Sequence, residues 1–266
     1  MTDAFVAELM AAREARQPFA VVTVAATAGS VPRAAGSKML VYADGRTSGT
    51  IGGGKFEALV VADAIAALRD KKAGLKSYPL REGETESFGA ICGGEVTVFI
   101  EPQAVSEAIY LIGGGHCAQA IARLALDCGM FVTVIDDRAE LLDGLPARVA
   151  RVSNISPAKF IAARSWQRDE ALIMVSRNHE IDREALAAAM EHRGAGYVGM
   201  IGSKRKVRQV FDYLSERGVS AEKLRCIHAP LGLDIGSDSP AEIAVSAMAE
   251  ILAVLRQRPA TSLSSR

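Results

Sequence analysis

Ala108-Ile109-Tyr110-Leu111-Ile112-Gly113-Gly114-Gly115-His116-Cys117-Ala118, running on to Phe131-Val132-Thr133-Val134-Ile135-Asp136-Asp137-Arg138, is the stretch whose reading decides the fold. An apolar run stops at Gly113 and a glycine turn follows. Ile121, Leu124, Ala125 and Cys128 then recur at helical spacing before a second apolar run closes a βαβ unit. Gly113-x-Gly115-x-x-Ala118 is the dinucleotide fingerprint in its alanine-ended form, with Asp136 at about the twenty-residue spacing of the motif's acidic partner. Gly113 permits a sharp turn, Gly115 admits a phosphate close to the backbone, and Ala118 lets helix approach strand. The helix start offers unpaired amides and a partial positive charge to an anion. A βα turn without any ligand has the same local pattern. Asp136 is placed to grip a ribose 2′-hydroxyl and Arg138 to meet a 2′-phosphate, so NAD and NADP are not separated, and the motif alone does not entail hydride chemistry.

Downstream the alternation continues. Strands are predicted at 148–152, 171–175, 197–201 and 224–228, and helices around 157–163, 182–191, 203–217 and 240–255, which together make a doubly wound parallel sheet. Upstream the pattern differs. It predicts a helix over 3–16 with Phe5, Val6, Leu9 and Met10 on one face, a strand at 19–25, and an irregular stretch over 27–38. A hairpin follows, with strands at 39–42 and 47–51 joined across Asp44-Gly45. Then come a helix bearing Phe56, Leu59, Val60 and Ala64, a strand at 75–80, and a half-buried strand at 95–101 with Val96, Val98 and Ile100 inward. The expected organisation is an α/β chain with a small N-terminal α+β domain over 1–103, a Rossmann-like domain over 104–257 and a disordered tail over 258–266.

Composition narrows the function classes. Of 266 residues, 49% are hydrophobic and only 5% aromatic, which suits a parallel sheet covered by helices. Thirty-one basic residues balance 31 acidic ones, so nothing draws the chain as a whole to nucleic acid or an anionic membrane. No apolar run reaches the roughly 20 residues of a membrane span, and a cytoplasmic protein is expected. Cys92, Cys117, Cys128 and Cys226 are far apart, which predicts reduced thiols.

Several segments invite an anion. Gly52-Gly53-Gly54 lies between a strand and a helix; Gly202-Ser203-Lys204-Arg205-Lys206 joins backbone amides, a hydroxyl and cations at a helix start; and the 27–38 stretch is rich in Gly, Ser, Arg and Lys. A flexible hinge, a solvated charge run and a solvated loop are the plain alternatives. Cys92, flanked by Gly93-Gly94 before a strand, reads as a reactive or metal-ligating thiol, whereas Cys117, Cys128 and Cys226 read as inert core residues. His116, His179 and His228 fall at strand ends on separate loops without metal-ligand spacing. Ser239-Pro240-Ala241-Glu242 reads as a capping box.

Taken together, these blocks resemble the XdhC/CoxI family of accessory factors for molybdenum hydroxylases. The resemblance rests on Gly29-Ser30-Val31-Pro32-Arg33 with Gly36, Gly49 to Gly54 with Glu57, Cys92-Gly93-Gly94, Gly113 to His116, Asp136-Asp137-Arg138, Gly199 to Lys206, and His228 to Gly236. It implies a small N-terminal domain before a Rossmann domain, and a protein that binds the molybdenum cofactor (Mo-molybdopterin). On that reading it protects the cofactor during sulfuration by a cysteine desulfurase and helps insert it into an apo molybdenum hydroxylase of the xanthine dehydrogenase type. The chain would then act as a chaperone rather than an enzyme, and a homodimer is expected. Cys92 would face the metal, a soft, sulfur-rich centre. Gly52, Gly53, Gly54, Gly113, Gly115, His116, Asp136, Gly202, Ser203 and Lys204 would contact the pterin or its phosphate. Relatives often carry Thr-His-Asp where this chain has Ser176-Arg177-Asn178, and alanine at Gly114, a change expected to be harmless. An NAD(P)-dependent oxidoreductase with His116 or His228 as acid or base, and a scaffold joining desulfurase to hydroxylase, are the alternatives.

Overall fold

The computed structural model describes residues 2–80, 94–103, 105–192 and 194–264. The chain divides into two compact units, Met1–Val105 and Ser106–Arg266.

Unit 1 contains α1 (Asp3–Glu14), β1 (Phe19–Ala28), β2 (Lys38–Tyr42), β3 (Thr47–Gly49), α2 (Gly54–Asp70), β4 (Gly74–Pro79) and β5 (Glu95–Gln103). Its antiparallel sheet has the order β3-β2-β1-β5-β4. Strand alternation sends Ala20, Val22, Met39, Val41, Val96, Val98 and Ile100 to one face, where Phe56, Val60 and Ala64 of α2 close the core. Phe19, Leu40 and Tyr42 go to the other, against Phe5 and Ala12 of α1. This corrects the α1 face. Phe5, Leu9 and Ala12 form its packed stripe, while Val6 and Met10 are 38% and 49% exposed, because each is turned by about 100° from the residue before it. β1 also outlasts its expected end at residue 25: beyond a register shift between Val24 and Ala26, Ala26, Thr27 and Ala28 pair with Thr97, Val96 and Glu95. The irregular stretch is thereby shortened to 29–37.

Unit 2 contains β6 (Ala108–Ile112), α3 (His116–Asp127), β7 (Phe131–Ile135), α4 (Glu140–Asp143), β8 (Ala150–Val152), α5 (Pro157–Ala162) and β9 (Glu170–Met174). α6 (His179–Glu191), β10 (Tyr197–Met200), α7 (Lys204–Glu216), α8 (Ala221–Leu224), β11 (Ile227–His228) and α9 (Pro240–Leu255) complete it. The strands are parallel in the order β8-β7-β6-β9-β10-β11, the doubly wound dinucleotide arrangement, with its switch point between β6 and β9. α3 and α9 cover one face and α5, α6 and α7 the other. Both faces are sealed, so β6 and β9 are buried throughout. The capping box at Ser239 and Glu242 forms, with Pro240 at the helix start.

Two expectations fail at the end of the sheet. The strand predicted over 224–228 keeps only Ile227 and His228, since Leu224 completes α8. Cys226 is therefore exposed before the strand, its Sγ 3.5 Å from the Glu222 carbonyl oxygen. Cys128 is also exposed, as the C-cap of α3, outside the buried stripe of Ala118, Ile121, Ala122 and Ala125; neither thiol is a core residue. Cys117 is half-buried, which pushes its thiol pKa up. Cys92 lies outside the described residues. No helix among the described residues is long and apolar enough to cross a membrane.

Candidate functional site

A crevice of about 410 Å³ opens beyond the carboxyl ends of β6, β7, β8 and β9, where chain connections leave the sheet in opposite directions. Gly113 turns the chain out of β6 at φ +117°, and a Cβ there would stand 2.8 Å from the Val175 carbonyl oxygen, so conformation and packing both demand glycine. At Gly114 a Cβ would lie 3.2 Å from that of Leu141, so alanine is admitted there with a small shift of that side chain. Gly115 caps α3 and faces open space, with nothing within 4 Å of where its Cβ would be. The first helical bond runs from the Gln119 amide to the Gly115 carbonyl, so the His116 and Cys117 amides are left without a partner in the helix. That end carries the positive pole of the helix dipole.

Asp136 turns inward. It is 5% exposed, accepts the Gly114 amide at 2.7 Å and the Arg138 amide at 2.9 Å, and is gripped by the Arg138 guanidinium at 3.0 and 2.9 Å. Burial alone would raise its pKa, but the Arg138 guanidinium and these two amides outweigh it and hold the carboxyl at about 2. The acid expected to meet a ribose thus braces the glycine turn, and a ribose would have to share or displace Arg138. Across the switch point Arg177 reaches Asp137 at 3.4 Å, joining the loops after β9 and β7. Ser156, which caps α5, lines the same crevice.

The loop after β10 is held from beneath. Asp182, fully buried, accepts the Ser176 amide at 3.3 Å and the Lys206 ammonium, which also donates to the Ile201 carbonyl at 3.2 Å. Ser203 caps α7 by accepting the Lys206 amide. Lys206 is therefore a strut. Lys204 and Arg205 are exposed.

In unit 1 the glycine cradle contains an anion of its own. Gly52, Gly53 and Gly54 have φ of +143°, +77° and +64°. The nest they form with Ile51 closes on Glu57, which accepts the Ile51 and Gly53 amides at 3.0 Å each and the Thr50 hydroxyl at 2.6 Å. Burial works against this charge, but the hydroxyl and amides prevail and the Glu57 pKa is lowered.

The crevice brings Gly113 and Asp136 together, with Gly115 and His116 following on the same turn. Gly202, Ser203 and Lys204 do not line it. His116 and His179 are exposed first residues of α3 and α6. His228 stacks on Tyr197 with ring centroids 4.4 Å apart, its Nδ1 3.3 Å from Glu250. Glu250 also accepts the Tyr197 hydroxyl and, at 2.8 Å, the Gly232 amide; burial opposes its charge, but these groups hold its pKa at about 2. No group of three His, Cys, Asp or Glu side chains arranged for a metal occurs among the described residues. Sequence reasoning missed Asp182, Glu250 and the Asp137–Arg177 bridge, which have no local signature. Glu57, four residues beyond the cap Gly53, had one.

Comparison with known proteins supplies the context. Residues 109–251, more than half of the chain, match the XdhC Rossmann domain, and residues 12–79 match the XdhC and CoxI family. The chain is 35% identical over 244 residues, 91% of its length, to the uncharacterized protein YqeB of Escherichia coli. It is 25% identical over 156 residues, 58% of its length, to a Bacillus subtilis protein named as a probable component of xanthine dehydrogenase. It spans 44% and 45% of the lengths of those two proteins. A crystal structure from Bacillus halodurans, described as a xanthine dehydrogenase, aligns over 100% of this chain and 99% of its own with a TM-score of 0.52; at 20% identity that likeness concerns the fold alone. With the Rossmann match covering most of unit 2 and the second match most of unit 1, the chain belongs to the XdhC/CoxI family.

Proposed function

We propose that this chain is a maturation factor for a molybdenum hydroxylase of the xanthine dehydrogenase type. It holds the molybdenum cofactor while a cysteine desulfurase sulfurates it, and helps insert it into the apo-enzyme. The observation that carries this reading is the start of α3: unpaired amides behind Gly115, whose open side lies next to a crevice at the switch point. The cofactor is a pterin with a terminal phosphate, and its molybdenum is the redox centre it brings to the client enzyme. Phosphate fits amides at a helix N-terminus. Gly115, His116 and Cys117 would hold it, with Ser156 and Arg177 at the rim; the Gly53 amide, which donates to Glu57, is not assigned to it. Cys92 would supply a thiolate to the metal.

The test is retention and transfer. The purified chain, as isolated from cells making the cofactor, should carry molybdopterin detectable by fluorescence after oxidation. Cys92→Ala should fold normally, hold less cofactor, and load apo-hydroxylase poorly. Unchanged loading by that variant removes Cys92 from the mechanism, and no pterin in the parent protein removes the proposal. The strand order favours a second reading, an NAD(P)-dependent oxidoreductase. Titration with NADH and NADPH separates the two: tight nicotinamide binding without pterin supports the enzyme.

A further inference from the structure

Unit 1 has a cleft of its own, about 470 Å³, bounded by the first turns of α1, the 29–37 loop and the β2–β3 hairpin. The loop is pinned. The Gly36 amide donates to Val24, the Val24 amide to Ser37, and both the amide and hydroxyl of Ser37 to Ala34. Arg33, exposed, and Lys38, half-buried, line the cleft on either side of this pinned stretch. Lys38, half-buried, donates at 2.7 Å to the Thr23 hydroxyl, a neutral partner that directs the ammonium and leaves it two further protons. Neither cation is paired with a carboxylate among the described residues. In the unit 2 crevice the opposite holds, since Arg138 is matched by Asp136 and Arg177 by Asp137. Glu8, the single carboxylate lining the unit 1 cleft among the described residues, accepts the Tyr42 hydroxyl through one oxygen. Two cations against one carboxylate, with the Ser48 hydroxyl beside them, make a pocket that favours an anion carrying a hydrogen-bond donor elsewhere on its skeleton.

We propose that this cleft binds a phosphate monoester of a small polar molecule, its phosphate met by Arg33 and Lys38 and a donor on its organic part facing Glu8. The site is independent of the maturation role. It is tested on the full chain by amide NMR titration with inorganic phosphate and with phenyl phosphate. Both should saturate in or below the millimolar range, shifting amides at 36–38 and 48–50. Arg33→Gln and Lys38→Gln should each weaken binding by about 10-fold or more. Lys38→Arg should retain it, and Arg148→Gln, an exposed arginine of unit 2, should leave it unchanged. Unperturbed β1 and β5 amides in each variant establish that the sheet is intact. Equal affinity in the Arg33→Gln, Lys38→Gln double variant, shifts confined to the start of α3, or no binding of either probe overturns the proposal. Phosphate binding at 36–38 in a protein that never carries molybdopterin leaves this site standing and removes the chaperone reading.

Discussion

Replacing Asp136 with asparagine isolates the carboxylate that braces the crevice. The amide side chain keeps an oxygen for the Gly114 N–H but turns a donor toward Arg138, so the charge-assisted bonds at 2.9 and 3.0 Å are lost. A carboxyl held at about 2 instead of 3.8 corresponds to a folding stabilisation on the order of 2 to 3 kcal/mol at neutral pH. Because the folded pKa is the lower one, this stabilisation is complete well above 3.8 and drains away as pH falls toward 2. By pH 3 it should be smaller by about 1 kcal/mol. The assay is urea unfolding followed by tryptophan fluorescence. The chain has one tryptophan, Trp166, buried in unit 2, so the signal reports that unit alone. Asp136→Asn should unfold about 2 to 3 kcal/mol more easily than the parent at pH 7, with the gap narrowing at pH 3. A gap under about 0.5 kcal/mol at pH 7, or one of equal size at both pH values, refutes the brace.

Lys206→Met leaves Asp182, which is fully buried, without its cation, and should cost about 3 kcal/mol or more in the same fluorescence assay; wild-type stability would mean the pair contributes nothing. Glu57→Ala empties the nest at Gly52 and Gly53 and should cost unit 1 about 1 to 2 kcal/mol, read as faster hydrogen exchange of the Ile51 and Gly53 amides. Because the Glu57 pKa is lowered in the fold, the parent should lose that protection as pH drops below the ordinary glutamate value of 4.5.

Much of the architecture was legible in the residues because it is local. The apolar run to Ile112, the turn at Gly113 and the helical spacing beyond it need only near neighbours to be recognised, and the Ser239–Glu242 cap is a four-residue pattern. The misreadings share one cause. Which face of α1 is packed, where β1 stops, and whether Cys128 or Cys226 is covered all depend on partners distant in sequence.

The candidate sites divide along the same line. The positions of glycine turns, helix starts and cations were written in the chain by backbone sterics and periodicity. Their occupancy was decided by the tertiary fold. Glu57 closes back over one cradle, Asp136 binds Gly114 and Arg138 at the end of β7, and Asp182 takes Lys206 from the loop after β10. Arg33 and Lys38 line a cleft with no such carboxylate partner among the described residues. Charges find partners through space, and only the strand order and helix packing determine which side chains come within a few ångströms of one another.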